Sequence, residues 1–202
     1  NNKLFFNDVD LNQIIKKYGT PLKLSYLPKI SQQIQNAKEF FAKAIKKKKY
    51  EGKYLYCYCT KSSHFEFVLD EALKNDIHIE TSSAFDIHIV QKLLEKGKIT
   101  KDIHVICNGF KRDKYKENIS ALLNDGFKNC IPILDNLNEL DYYKDHVNEK
   151  FQVGIRVASD EEPNFSFYTS RLGFRYSDII DYYKKEIKDS PKASLKMLHF
   201  FI

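Results

Sequence analysis

The sequence predicts an α/β fold, a (β/α)8 TIM barrel that is truncated after about six of its strands. Strand-like and helix-like segments alternate along the chain, which is typical of parallel βα units. The first five strands start near positions 54, 77, 103, 129 and 153, and these regular intervals of 23 to 26 residues favour a barrel. A complete barrel takes about 250 residues, whereas the 202 residues here end within the apolar run 198–202. We therefore expect the chain to be part of a longer barrel protein.

The spacing of apolar residues predicts each element in turn. Apolar residues at helical spacing indicate a first long helix at 30–46, with Ser31 placed to begin it. Short apolar runs predict strands at 54–60, 77–80, 103–107, 130–134, 153–157 and 195–202. Helical patterns lie between them at 65–74, 85–96, 115–124, 137–147 and 177–188, and an extra loop is expected at 159–174. Residues 1–28 are predicted to lead into the barrel, and residues 29–202 to form its incomplete domain.

An open, doubly wound sheet is the alternative architecture. A sheet of that kind that binds a nucleotide carries a glycine-rich phosphate loop after its first strand. None of the seven glycines forms a G-x-G-x-x-G or Walker pattern. The barrel is therefore the favoured prediction.

Composition excludes several classes of protein. With 43% hydrophobic and 14% aromatic residues, the chain is not of the disordered or collagen-like type. No apolar run approaches the roughly 20 residues that span a bilayer, and the N-terminus lacks the pattern of a secretory signal. A net charge of +6 is modest for a nucleic-acid-binding protein, and the basic run 46–49 suits a solvated helix end better than a phosphate-binding patch. We expect a cytoplasmic protein with neither membrane nor nucleic-acid partners.

The four cysteines are predicted to be reduced core residues. Cys57, Cys59, Cys107 and Cys130 all fall within apolar strand-like runs. Cys57 and Cys59 could form half of a metal site, but a second pair of ligands at short spacing is absent. The sequence therefore predicts no metal site.

Lys61 is the first candidate catalytic residue. Alternation along the predicted first strand places Leu55, Cys57, Cys59 and Lys61 on one face, so Lys61 follows small apolar residues towards the interior. It lies at the carboxyl end of the strand, the end at which barrel enzymes build their active sites. Partial desolvation there would favour a neutral amine, which is a nucleophile towards aldehydes. The alternative is an ordinary lysine that extends from the strand end into solvent.

The motif around Lys61 resembles that of a known family. Tyr-Cys-Thr-Lys-Ser-Ser at 58–63 resembles the Tyr-Ala-x-Lys-Ala-Asn signature of the fold-type III pyridoxal-phosphate (PLP) decarboxylases, which have an alanine-racemase-like barrel. This family includes the ornithine, diaminopimelate and biosynthetic arginine decarboxylases. Six further segments match the family in its order along the chain. One, at 18–22, precedes this motif, and the others lie at 80–86, 106–111, 154–157, 170–173 and 198–200. Ile-Cys-Asn-Gly-Phe-Lys at 106–111 most resembles the arginine decarboxylases.

The resemblance implies roles for individual residues. The lysine that matches Lys61 carries the cofactor as an internal aldimine, and Glu80 would supply an opposing carboxylate. Arg156 would lie near the cofactor ring, its alternative being a structural ion pair. Asn108, Ser82, Ser83 and Asp86 would line the site and bind the cofactor, although capping of the next helix is an equal alternative for these polar residues.

The last predicted strand departs from the family pattern. Family members read His-Phe-His there, whereas this chain has His199-Phe200-Phe201. Phe201 would occupy the position of the histidine that stacks on the cofactor ring; it can pack on the ring but cannot donate a proton. His199 is predicted to be catalytic, with a core histidine as its alternative. Asp86 stands where the family has glutamate.

The resemblance predicts a PLP-dependent decarboxylase of a basic amino acid, with conversion of arginine to agmatine and CO2 favoured. An ornithine or diaminopimelate decarboxylase is one alternative, and a non-catalytic α/β ligand-binding or regulatory module is another. The family's phosphate loop and the acid that pairs with the pyridine nitrogen lie in later barrel strands. Its C-terminal β-domain contributes to a homodimer. We expect these parts outside the 202 residues.

Overall fold

A computed structural model describes residues 3–158 and 173–200 of the chain. It begins with a hairpin of two short antiparallel strands, β1 (Phe5–Phe6) and β2 (Val9–Asp10), followed by helix α1 (Leu11–Tyr18). The Asp10 side chain accepts a hydrogen bond from the backbone N–H of Asn12 at 3.0 Å and so caps α1. The sequence prediction assigned no helix or strand to this part of the chain.

Six parallel strands form the main sheet. They are β3 (Cys57–Cys59), β4 (His78–Thr81), β5 (Val105–Cys107), β6 (Cys130–Leu134), β7 (Phe151–Arg156) and β8 (Ala193–His199). Their order in the sheet follows their order in the chain, β3-β4-β5-β6-β7-β8. A doubly wound sheet reverses its strand order at a switch point, and no reversal occurs among these strands. The prediction of a partial βα barrel is confirmed, and the doubly wound alternative is wrong.

The helices that alternate with these strands match the predicted pattern. They are α2 (Pro28–Lys48), α3 (Glu66–Leu73), α4 (Ala84–Glu95), α5 (Asp113–Asn124), α6 (Glu139–His146) and α7 (Tyr176–Tyr182), which continues as a π-helical turn at Tyr183–Ile187. Helix α2 begins at Pro28 instead of Ser31, because proline suits the first helical position, where its missing N–H is not needed. The predicted loop at 159–174 lies outside the described residues as far as position 172.

The two faces of the sheet have different surroundings. Helices cover one face, where strand residues such as Ile79, Val105 and Ile155 join the largest buried cluster. The other face carries a smaller inner cluster of Ile106, Ile131 and Ile133, with Cys57 and Met197 packed against it. Alternation along each strand places polar side chains at the carboxyl ends of the strands on this same inner face. These residues are Glu80, Asn108, Asp135, Arg156 and His199.

Strand β7 packs tightly against its neighbours at Gly154. A Cβ atom there would overlap Ile133 Cδ1 and lie 2.8 Å from Met197 Cγ. The register between β7 and β8 shifts at this point, so that Arg156 pairs with His199 at the carboxyl end. The irregularity therefore brings two of the predicted site residues side by side.

The cysteines lie in the sheet. Cys107 and Cys130 are fully buried, with their Sγ atoms 3.7 Å apart, while Cys57 and Cys59 are half-buried. In the described ranges, no cluster of cysteine, histidine or carboxylate residues is arranged to hold a metal ion. Nor is any helix within those ranges long and apolar enough to cross a membrane.

Candidate active site

Lys61 lies in the turn that directly follows β3. Thr60, which is fully buried, donates from its backbone N–H and its Oγ1 to the carbonyl of Glu80, at 3.0 and 3.1 Å. Ser62 closes the turn, because its N–H and its hydroxyl both donate to the Cys59 carbonyl, at 3.1 and 2.8 Å. The end of β3 is thus fixed to β4, and Lys61 emerges from this anchored backbone.

Lys61 is exposed, so the partial desolvation expected from the sequence is not seen in the described residues. The physical reason is its place in the sheet. Among the described strands, β3 is the outermost and pairs only with β4. Water therefore reaches the side of β3 that faces away from β4.

Glu80 and Asn108 form a hydrogen-bonded pair on the next two strands. Asn108 Nδ2 donates to Glu80 Oε1 at 3.1 Å, and the Asn108 backbone N–H donates to the Thr81 carbonyl at 3.0 Å. The Asn108 side chain is buried, and its Oδ1 accepts no hydrogen bond from the described part of the chain. Glu80 pairs in register with Cys59, two residues before Lys61. Glu80 therefore lies on the strand next to the one that Lys61 follows.

The polar residues after β4 act at the start of α4. The Asp86 carboxylate accepts hydrogen bonds from the N–H of Ser82 at 2.8 Å and from its hydroxyl at 3.3 Å. Asp86 is buried in the first turn of the helix, so these contacts fit the capping alternative. Ser83 precedes the helix, is half-buried and makes no capping hydrogen bond through its side chain. Binding of a cofactor by these three residues stays a prediction.

Arg156 and His199 end the neighbouring strands β7 and β8. Arg156 Nη1 lies 3.6 Å from Asp135 Oδ1, so the interior arginine has a carboxylate partner. Burial lowers the pKa of the His199 imidazole; Glu80 opposes this shift and Arg156 adds to it. The same histidine thus lies within electrostatic range of residues on β4 and β7. Phe201, predicted to stack on the cofactor, lies outside the described residues.

Three further charged residues, which the sequence prediction did not select, form a buried network beside Arg156. The Lys111 ammonium donates to the carbonyls of Gly109, at 2.9 Å, and Ile133, and to Asp135 Oδ2 at 3.2 Å. It also lies 3.3 Å from Glu139 Oε2. The Lys111 and Asp135 side chains have no exposed surface, and that of Glu139 is 4% exposed. We call Lys111, Asp135, Glu139 and Arg156 the buried charge network.

The network is electrically balanced when all four groups are charged. Glu139 Oε2 accepts the backbone N–H of Asp135 at 3.2 Å, and its Oε1 accepts Asn136 Nδ2 at 2.9 Å. Burial raises the pKa of Glu139, and Lys111 opposes that shift.

A sequence signal existed for two members of the buried charge network: Lys111 ends the segment 106–111, and Asp135 directly follows β6. Polar residues at strand ends of a parallel sheet converge on one edge.

Comparison with known proteins supports the resemblance. The chain is 23% identical over 205 residues to a biosynthetic arginine decarboxylase of Synechocystis, covering 93% of the chain and 31% of that protein. The alignment with the biosynthetic arginine decarboxylase of Vibrio vulnificus has 22% identity over 214 residues and covers 97% and 33%. The chain therefore spans about a third of the length of these curated relatives. No family model matches the sequence.

Solved structures share the fold. Diaminopimelate decarboxylase from M. jannaschii, in complex with L-lysine, matches with a TM-score of 0.81 and 15% identity, over 99% of this chain and 46% of that one. The biosynthetic arginine decarboxylase of Campylobacter jejuni matches with a TM-score of 0.67 and 20% identity, over 94% and 31%. The predicted resemblance to the fold-type III decarboxylases is confirmed at low identity, and the fold is part of their alanine-racemase-like barrel.

Proposed function

We propose that the protein is a PLP-dependent decarboxylase of a basic amino acid, and that the Lys61 amine condenses with the aldehyde of the cofactor. One observation carries the proposal: Lys61 follows the first barrel strand at the edge where Glu80, Asn108, Arg156 and His199 end neighbouring strands. The names of the curated relatives support the same activity. The position of Lys61 and the chemistry of its amine thus agree with the family resemblance of the motif at 58–63.

The residues at this edge fit such a cofactor. An unprotonated primary amine is the group that condenses with an aldehyde, and Lys61 supplies a primary amine at this edge. Asn108 Oδ1, buried and without a hydrogen-bond partner among the described residues, offers an acceptor to a bound polar group. Glu80 and Arg156 add one charge of each sign, which suits a ligand that carries both charged and polar groups.

The chain's own residues would bind, orient and exchange protons. When bound, PLP withdraws electrons from the α-carbon of the amino acid and so makes loss of CO2 possible. The Glu80 carboxylate, held by Asn108, stabilises positive charge near Lys61. Burial lowers the pKa of His199 and so favours the neutral imidazole, a hydrogen-bond partner and a weak base. Arg156 supplies a positive charge, which helps to hold the reacting groups in one orientation.

We propose arginine as the substrate, with agmatine and CO2 as products. The resemblance of Ile-Cys-Asn-Gly-Phe-Lys at 106–111 and the names of the curated relatives favour it. Ornithine, diaminopimelate and lysine are the competing substrates, because structures of this fold include diaminopimelate and lysine decarboxylases. Following the resemblance, we also propose a cytoplasmic homodimer.

Trapping of the cofactor on its lysine tests the proposal. The full gene product is incubated with PLP, treated with borohydride and digested, and the modified peptide is identified by mass spectrometry. We expect the label on Lys61 and its loss, together with all decarboxylation, in Lys61→Ala. Lys101→Ala is the matched control, because Lys101 is a surface lysine paired with Asp125. A label distributed over several lysines would contradict the proposal.

The substrate is assigned by a second assay. Release of CO2 from arginine, ornithine, lysine and diaminopimelate is compared for the same preparation. We expect the highest kcat/KM for arginine. A higher value for another substrate would leave the decarboxylase proposal intact and overturn the choice of arginine.

The exposure of Lys61 favours a second candidate function, a non-catalytic α/β module that binds a small ligand. In this reading Lys61 is only a surface group. Lys61→Ala would then leave ligand binding intact, whereas the decarboxylase proposal requires its loss.

A further inference from the structure

The Asp135 carboxylate lies between the two cations of the buried charge network. Its Oδ2 accepts a hydrogen bond from Lys111 Nζ at 3.2 Å, and its Oδ1 faces Arg156 Nη1 at 3.6 Å. The Asp135 side chain has no exposed surface, whereas 16% of the Arg156 side chain is exposed. Arg156 is therefore the partly exposed member of this pair, and Asp135 is the fully buried one.

Asp135 is itself fixed from several directions. Its backbone N–H donates to Glu139 Oε2 at 3.2 Å, and its carbonyl accepts the N–H of Gly173 at 3.1 Å. Lys111 uses its ammonium hydrogens on the carboxylate and on the carbonyls of Gly109 and Ile133. A carboxylate held in this way has little freedom to follow a moving partner. Arg156 must therefore adapt to Asp135.

The stem of Arg156 is also confined. A Cβ atom on Gly173 would lie 3.1 Å from Arg156 Cγ and 2.9 Å from the Arg156 carbonyl oxygen. Gly173 has a φ of +103°, a backbone conformation that favours glycine. The N–H of Phe174 donates to the Arg156 carbonyl at 2.7 Å. Main chain thus packs on the arginine stem, and Asp135 Oδ1 lies 3.6 Å from its guanidinium group as an ion-pair partner.

We propose that Asp135 is a positioning residue, which fixes the Arg156 guanidinium at the carboxyl edge of the sheet in the orientation needed to contact the bound cofactor. Lys111 balances the charge of Asp135, and Glu139 accepts the backbone N–H of Asp135 and so fixes its backbone. The inference rests on the proposed function, because it needs a cofactor at this edge. It goes beyond that function by assigning a role to a residue that the proposed chemistry does not use directly.

The test compares affinity for PLP, measured by absorbance titration of the full gene product, in four variants with the wild type. Asp135→Asn removes the charge, Arg156→Met removes the guanidinium, and a third variant combines both changes. We expect Asp135→Asn to weaken binding of PLP on the order of tenfold, the low end for partners that orient a ligating group. We expect no further loss when the change is added to Arg156→Met. The fourth variant, Asp125→Asn, is the matched control on an exposed ion pair and should bind PLP like the wild type.

Two charge-balanced double variants keep the test valid if Asp135→Asn fails to fold. Lys111→Met with Asp135→Asn removes one charge of each sign together with the contact to Arg156. Lys111→Met with Glu139→Gln removes the same charges but keeps that contact. We expect the first pair to bind PLP several-fold more weakly than the second, on the same order-of-magnitude argument. Equal affinities would overturn the proposal.

Each result has a distinct meaning. An unchanged affinity in Asp135→Asn, or an equal loss in the presence and absence of Arg156, would overturn the positioning role. A merely structural role would lower the stability to urea without this dependence on Arg156. A wild-type protein that forms no borohydride-reducible adduct at Lys61 would instead overturn the proposed function. A crystal structure of the cofactor-free Asp135→Asn protein adds an independent readout, and we expect the Arg156 guanidinium to be displaced.

Discussion

Removal of the Lys111 ammonium is the most direct test of the buried charge network. Lys111→Met keeps most of the apolar stem but deletes the positive group between two buried carboxylates. Asp135 then loses a hydrogen bond of 3.2 Å, and Glu139 loses a cation 3.3 Å away. The carbonyls of Gly109 and Ile133 lose the same donor. Two buried carboxylates would share the single remaining cation, Arg156.

The burial of the network sets the expected loss in the free energy of unfolding of Lys111→Met. Removing one partner of a buried ion pair destabilises a protein by about 3–5 kcal/mol, because a charge remains in the interior without compensation. The side chains of Lys111 and Asp135 have no exposed surface, so solvent screening does not reduce this figure. The exposed pair of Lys101 and Asp125 is worth about 0.2–1 kcal/mol at most. Lys101→Met is therefore the matched control.

Urea denaturation followed by far-UV circular dichroism measures both variants in the full gene product. With an m-value of about 2 kcal/mol per molar urea, the Lys111 variant should unfold at roughly 1.5–2.5 M less urea. The control should move by a few tenths of a molar unit or less, roughly. A shift for Lys111→Met no larger than that of the control would contradict the claim that Lys111 neutralises buried carboxylates.

The pH dependence of this cost is a second part of the same prediction. Burial raises the pKa of Glu139, and Lys111 opposes the shift, so removal of Lys111 raises this pKa further. The folded variant then binds a proton that the unfolded chain does not, and it gains stability as the pH falls through the folded-state value. We expect the destabilisation caused by Lys111→Met to be smaller at acidic pH than at alkaline pH, because the raised pKa of Glu139 lets this carboxylate lose its charge first as the pH falls. A cost independent of pH would contradict the assignment of Glu139 as a member of the network.

Three further changes have expected outcomes, all measured by urea denaturation. Gly154→Ala should destabilise the fold by about 1–3 kcal/mol, because its Cβ would overlap Ile133 Cδ1 in the packed sheet. Asp86→Ala should cost about 1 kcal/mol through loss of the cap that accepts the N–H and hydroxyl of Ser82. Burial lowers the pKa of His104, so the wild type should lose stability as the pH falls below 6.5, and His104→Gln should flatten this slope.

Control variants distinguish each proposed cause from a nonspecific loss of stability. Ile133→Val removes the overlapping Cδ1, so it should recover part of the loss caused by Gly154→Ala; full additivity would argue against overpacking. Asp86→Asn keeps a side-chain acceptor and should cost less than the alanine change. His88 is exposed on α4 and hydrogen-bonded to Gln91, so His88→Gln is the control for the change of stability with pH. An equal flattening by that variant would contradict the role given to His104.

The repeating units of the fold were predictable because each is specified locally. The apolar run 130–134 predicts a buried strand, and the structure places β6 at Cys130–Leu134. The exact ends of the first strand and the elements before it were less predictable. The strand predicted at 54–60 is regular only at Cys57–Cys59, where β4 supplies hydrogen-bond partners. Helix α1 (Leu11–Tyr18) was missed, although Asp10 and Gly19 stand at its two ends as capping residues.

The candidate site was predictable in part. Strand-end position singled out Lys61, and the family resemblance added Glu80 and Arg156. The structure places all three at the edge where the carboxyl ends of the parallel strands meet. The hydrogen bonds of Lys111 to Asp135 could not be predicted, because they join residues 24 positions apart through side-chain geometry that local patterns do not encode. Exposure of Lys61 was also beyond the sequence pattern. It depends on which strand covers β3, and not on the residues around the lysine.

The two sides of the candidate site differ in a way that suits their proposed tasks. On the side of β5 to β7, the Lys111 and Asp135 side chains are fully buried and paired at 3.2 Å. On the side of β3, Thr60 anchors the backbone to the Glu80 carbonyl while the Lys61 side chain stays in solvent. The proposed condensation of the Lys61 amine with an aldehyde would need a mobile side chain on a fixed backbone. The groups that orient the bond to be broken need fixed side chains.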